Sequence, residues 1–253
     1  MKVKDLYERL SELIPEDLRE SWDNDGLMCS TDTTSEVNNV LIALDVTEEI
    51  VDYAIERNFD LIISHHPLIF TPITQITEDR HVARKIIKLI PNNVSVFSFH
   101  TRLDKVKGGV NDILTGILGL ENVVPFGEGG MGRIGILTED YDLEQFADVV
   151  KMSLGADAVR IADAYNPVKR VALVGGDGKS FVRDAILAGA DTYLSGRISY
   201  NVMEEAAEMG INLIEAGHYF TENPVTSYLA KLVSSIDGNA YVEIADSNMI
   251  KTI

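Results

Sequence analysis

Short apolar runs alternating with amphipathic stretches constrain the fold of this chain more than any other feature. Val40-Leu41-Ile42-Ala43-Leu44, Asp60 to Ser64 and Val94 to Ser98 have strand length and are nearly continuous in apolar character. Around them lie helical patterns. Val3, Leu6, Tyr7, Leu10 and Leu13 recur at helical spacing until Pro15 stops them; Thr47 is placed as the N-cap of a helix running to about Arg57. Further helices are predicted from Val82 to Leu89 and, behind Gly108-Gly109, from Val110 to Leu118. Strands apolar on both faces, separated by helices, are the pattern of a parallel sheet covered by helices.

The second half repeats the rhythm. Strands are expected at Arg133 to Leu137, Ala158 to Ala162, Arg170 to Val174, Asp191 to Leu194, Ile211 to Glu215 and Tyr241 to Ile244. Helices are expected at Leu143 to Leu154, Ser180 to Ala188, Ser199 to Glu208 and up to about Val233. The glycine-rich segment Phe126-Gly127-Glu128-Gly129-Gly130 reads as a boundary. The expected architecture is α/β: two interlinked lobes with mostly parallel central sheets, residues 1–127 and 128–253. The C-terminal part, from about 212 to 253, returns toward the first lobe's site, at the strand carboxyl ends between the lobes.

Composition removes several function classes. A single cysteine, Cys29, excludes an intramolecular disulfide and a cysteine-rich zinc site. No apolar run approaches the ~20 residues of a membrane span, and the N-terminus reads as an amphipathic helix rather than a signal peptide. A cytoplasmic location is the expectation. The net charge of −18 argues against nucleic-acid binding by phosphate neutralisation.

The chemistry-bearing residues cluster at strand ends. Two of only five histidines, His65 and His66, are adjacent and follow the run Leu61-Ile62-Ile63. Imidazoles carry polar nitrogens that need partners once buried, and they are good ligands for first-row metals. A second strand end carries His100 and Asp104, a third His218 and Glu222. Open α/β sheets bind ligands beyond the carboxyl ends of their strands. His81, near a helix start, is expected at the surface. Adjacent histidines diverge, so they suit two ions side by side, which a carboxylate can bridge. The donor set fits Zn, Mn, Fe, Co or Ni.

Four motifs occur in order: Trp22-Asp23-Asn24-Asp25-Gly26-Leu27; Ser64-His65-His66-Pro67; His100-Thr101-Arg102-Leu103-Asp104 with Gly108-Gly109-Val110-Asn111-Asp112; and Gly217-His218-Tyr219-Phe220-Thr221-Glu222. Together they resemble the Nif-three-like dinuclear-metal family, often labelled GTP cyclohydrolase I type 2 homologues. The resemblance spans nearly the whole chain and implies the short form without an inserted domain, two linked α/β lobes and a ring-shaped homohexamer. It implies one divalent ion on His66 and Asp104, a second on His65 and His218, and Glu222 bridging both. His100 would support the ligands or carry a proton. Arg102 stands where asparagine is common; Arg197 and Asn201 replace an acidic residue and a histidine.

Two functions follow as expectations. One is a metal-dependent hydrolase acting on a nucleotide or phosphorylated small molecule, with GTP ring opening implied by the family label. The other is a non-enzymatic oligomer that buffers metal or regulates a partner. An Asp-His-His phosphoesterase is disfavoured, because Ser64 stands where that motif needs aspartate. Gly175-Gly176-Asp177-Gly178-Lys179-Ser180 is no Walker A loop, since its leading glycine would fall on Leu173. It reads as a strand-to-helix turn.

Overall fold

A computed structural model describes residues 1–253. The chain begins with α1 (Val3–Leu13), β1 (Gly26–Cys29), β2 (Asn39–Ala43), α2 (Glu48–Glu56) and β3 (Leu61–Ser64). Next come α3 (His81–Leu89), β4 (Ser95–Ser98), α4 (Thr101–Lys105), α5 (Val110–Ile117), β5 (Glu121–Phe126) and β6 (Gly132–Tyr141). Then follow α6 (Leu143–Leu154), β7 (Arg160–Ala162), β8 (Val168–Val174), α7 (Val182–Leu187) and β9 (Thr192–Ser195). The chain ends through α8 (Tyr200–Glu208), β10 (Asn212–Glu215), α9 (His218–Glu222), α10 (Val225–Ile236) and β11 (Tyr241–Ile244). No helix is long and apolar enough to cross a membrane.

These elements form two compact units: residues 1–106 with 225–249, and 107–224 with 250–253. The first unit holds a five-stranded sheet in the order β1-β4-β3-β2-β11. Strands β4, β3, β2 and β11 run parallel, and β1 closes the edge antiparallel to β4. Register pairs Ala43 with Ser64 and Ser64 with Ser98, so three strands end at one level. Leu41, Ile62 and Val96 are fully buried and pack with Ile50, Val51 and Ala54 of α2 and Leu89 of α3. The Thr47 hydroxyl accepts from the Ile50 amide, capping α2 as its sequence requires.

The second unit holds a six-stranded sheet in the order β5-β6-β8-β9-β10-β7. Its middle, β8-β9-β10, is parallel; the outer pairings are antiparallel. Alternation along β8 sends Val171 and Leu173 to one face, with Leu114 of α5 and Phe146 of α6. It sends Ala172 and Val174 to the other, with Val182 and Ala185 of α7 and Met203 of α8.

The α/β architecture of two helix-covered sheets is the one the sequence pattern predicts. The unit boundary differs from the glycine-rich segment. Gly127, Gly129 and Gly130, all at positive φ, form the turn of the β5–β6 hairpin, in which Phe126 pairs with Gly132. Residues 107–127 therefore belong to the second unit, because β5 takes its hydrogen bonds from β6. Residues 225–249 belong to the first, because β11 pairs along β2 with Tyr241 opposite Asn39.

Candidate functional site

In the first unit the common end of β2, β3 and β4 collects the histidines. One ring nitrogen from each of His65, His66 and His100 lies within 4.8 Å of the others. Each ring is tied from behind through Nδ1. His65 Nδ1 donates to the Phe99 carbonyl oxygen at 2.9 Å. His66 Nδ1 bonds to Asp45 Oδ1 and His100 Nδ1 to Asp23 Oδ1, each at 2.7 Å. A carbonyl or carboxylate oxygen is an acceptor, so Nδ1 carries a proton, and in the neutral imidazole the lone pair is then on Nε2. That tautomer and that kind of supporting partner are the usual preparation of a metal-ligating imidazole.

Asp104 follows His100 by one turn of α4, and its Oδ1 stands 3.7 Å from His65 Nε2. This is too long for a hydrogen bond and matches the ~3–4 Å between two ligands of one ion held at 2.0–2.2 Å bonds. The residues thus fit a divalent cation. The nitrogen set against Asp104 is that of His65, whereas the resemblance grouped His66 with Asp104.

The loop before β1 is built into this end of the unit. Asp23 takes the Thr101 amide at 3.0 Å and its hydroxyl at 2.6 Å, besides His100. Burial pushes the Asp23 carboxyl up, but His100 and the Thr101 bonds outweigh it and hold it at about 2. Asp25, buried, accepts from the His100 amide at 2.9 Å and from Arg102 Nε at 3.0 Å. Arg102 is itself fully buried; its guanidinium also donates to the Ile14 carbonyl at 3.0 Å and lies 4.5 Å from the Phe99 ring centre. The arginine that departs from the family pattern is therefore a structural clamp on the loop.

In the second unit, α9 carries His218 and Glu222 one turn apart, with Nε2 and Oε2 2.9 Å from each other. Gly217, at φ +86, starts that helix. The Thr221 hydroxyl accepts from the Gly176 amide at 3.1 Å. Gly176 has φ +64, and a Cβ there would stand 2.0 Å from Glu222 Oε1 and 3.2 Å from His218 Nε2. The Gly175–Gly178 turn thus lets backbone approach the carboxylate. Arg197 uses its backbone amide on the Gly176 carbonyl, 2.8 Å, and its side chain is exposed, as is Asn201.

His81 opens α3 and is exposed, as expected. Sequence reasoning assigned Asp45 no role; a carboxylate directly after the buried run Val40–Leu44 was the available signal. Asp23 stood out only as part of the Trp22–Leu27 motif.

The Duf34/NIF3 (NGG1p interacting factor 3) family model matches residues 1–252. A "GTP cyclohydrolase 1 type 2 homolog" of Clostridium perfringens is 38% identical over 232 residues, covering 89% of this chain and 88% of that protein. A Staphylococcus aureus hypothetical protein superposes with a TM-score of 0.90 at 30% identity, covering 100% of this chain and 99% of that one. A Bacillus cereus protein related to NIF3 gives the same TM-score, 0.90, at 25% identity, also over 100% and 99% of the two chains. With its motifs, its two-sheet fold and a full-length match in agreement, the chain belongs to the Duf34/NIF3 family.

Proposed function

We propose that this protein is a dinuclear metalloprotein that hydrolyses a nucleotide or phosphorylated small molecule. Its ligands are His65, His66 and Asp104 from the first unit and His218 and Glu222 from the second. His65 and Asp104 would hold one ion and His66 and His218 the other, with Glu222 available to both. The observation that carries this reading is the set of three imidazoles, each fixed through Nδ1 by a partner behind it. Divalent ions supply Lewis acidity and lower the pKa of water. His100, oriented by Asp23, presents Nε2 for taking up and returning a proton. The relatives' name makes GTP ring opening the first reaction to try. A homohexamer in the cytoplasm completes the proposal.

Elemental analysis of the purified protein tests it. About two Zn, Mn, Fe, Co or Ni ions per chain are expected, and Glu222→Ala should lose most of them; full retention would sink the bridging role. A screen of nucleotides, phosphoesters and pterin precursors with added Mn or Zn then tests catalysis. Full metal occupancy without turnover of any compound would favour a metal-buffering or regulatory oligomer.

A further inference from the structure

The chain's only tryptophan is spent on the surface. Trp22 is 62% exposed, and Phe70, from the long segment between β3 and α3, is 50% exposed. Their ring centres are 6.3 Å apart with planes at 71°. Both rings also meet His100 edge-on, Trp22 at 6.4 Å and 81°, Phe70 at 5.9 Å and 87°. The three rings form an open corner whose inner wall is the imidazole assigned to proton transfer. A large apolar ring kept in water forgoes the stabilisation of burial; single exposed rings are common, but two that touch each other and a site imidazole form a contiguous patch of the kind that binds.

The backbone beside both rings is held in place. Next to Trp22, Asp23 is locked to His100 and Thr101, and its amide donates to the Glu20 carbonyl at 3.0 Å. The Glu20 amide in turn donates to the Thr101 hydroxyl at 3.0 Å. The Asn24 side-chain amide reaches the Ile69 carbonyl at 2.5 Å, fastening the tryptophan loop to the residue before Phe70. Neither loop has to be ordered when a ligand arrives, which removes part of the entropic cost of binding.

We infer that Trp22 and Phe70 form a stacking clamp for a planar heteroaromatic ring, and that the substrate of the site beside His100 carries one. This rests on the proposed small-molecule hydrolase reading and narrows its substrate to a nucleobase- or pterin-like compound. Two side chains are far too small a patch for a stable protein interface, which needs about 800 Å² per partner. Set edge to face, they instead leave their exposed faces open to a single flat ring, and every base or pterin presents a π face. His100 at the inner end lies where the reacting part of such a molecule would project.

Because Trp22 is the only tryptophan, its fluorescence excited at 295 nm reports on the clamp alone. The full-length protein is titrated with guanosine, adenosine and ribose 5-phosphate, as purified and after chelation. The nucleosides should quench Trp22 saturably and ribose 5-phosphate should not. Phe70→Ala, an exposed position, should weaken nucleoside binding about tenfold or more. By calorimetry Trp22→Phe should retain binding within a few-fold, whereas Trp22→Ala should lose about tenfold or more. Absence of saturable quenching, equal quenching by ribose 5-phosphate, or unchanged affinity in Phe70→Ala overturns the clamp. So does a protein-concentration-dependent blue shift without ligand, which would mean that a second copy covers Trp22. Quenching in a protein that holds no metal as purified and takes up none when Mn or Zn is added would leave the clamp standing and remove the dinuclear reading. A fully metal-loaded protein without quenching would do the reverse.

Discussion

Arg102 and Asp25 form a wholly buried ion pair, Nε to Oδ2 at 3.0 Å, and both side chains are shut off from solvent. The pair joins α4, which carries Asp104, to the loop that carries Asp23. Removing one member of a buried pair leaves an uncompensated charge, at a cost of about 3–5 kcal/mol. Arg102→Ala is therefore expected to lower unfolding stability by about 3 kcal/mol or more in urea titrations. Arg102→Met combined with Asp25→Asn should recover much of the loss, because no unpaired charge remains. A single variant as stable as the parent would show that the pair does not hold this loop.

Asp45 makes a different kind of contact. It lies 39% exposed, and its Oδ1 meets His66 Nδ1 at 2.7 Å. Removing such a supporting carboxylate typically lowers metal affinity 10–100-fold. Asp45→Ala should therefore weaken divalent-ion binding by about 10–100-fold in chelator competition, with the far-UV spectrum unchanged. The carboxamide of Asp45→Asn can still accept a hydrogen bond from Nδ1, so the loss there should be smaller. Equal loss in both variants would point to the charge rather than to the orientation of the ring.

Much of this architecture was legible because it is locally encoded. The α1 and α6 patterns, the Thr47 cap and the apolar run ending at His65 need only spacing and side-chain type to be read. The misses are elements whose order comes from distant partners. Strand β1 lies in an Asp/Asn/Gly-rich stretch and exists because Gly26 and Leu27 pair with Ser98 and Phe97. Strand β5 is largely exposed and contains Pro125, which an edge strand tolerates and a central one does not. The roles of Arg102 and Asp45 are set by residues 77 and 21 positions away, beyond any local pattern. The placement of His65, His66, His100 and Asp104 together was legible, because histidines and carboxylates at strand ends are conspicuous against an apolar core.

Gly176 offers a steric test of the second unit's donors. Its φ of +64 is the left-handed region that a side chain disfavours by about 1–2 kcal/mol, and its Cβ would stand 2.0 Å from the Glu222 carboxylate. Gly176→Ala must therefore move Glu222, His218 or the turn. A stability loss of about 1–3 kcal/mol is expected together with reduced metal occupancy. Gly155, also at positive φ (+64) but with nothing within 4 Å, is the control: Gly155→Ala should show the backbone cost alone and keep its metal. Identical metal content in both variants would remove the turn from any part in positioning Glu222.

Tyr193 sets the alkaline limit of the second unit. Its ring is fully buried on β9, and its hydroxyl donates to the Gly178 carbonyl at 2.7 Å. Burial pushes its ionisation far above the ordinary tyrosine range. The neutral form is favoured in the folded state, so its contribution is fully present below the unfolded pKa of about 10. Above that pH the unfolded chain releases the proton while the folded chain keeps it, and stability falls as pH rises. Tyr193→Phe should cost about 1 kcal/mol at neutral pH through the lost hydrogen bond and lose less stability than the parent between pH 10 and 11. Urea titrations at pH 7, 9, 10 and 11 read both effects. Parallel decline of parent and variant above pH 10 would assign the alkaline loss to other groups.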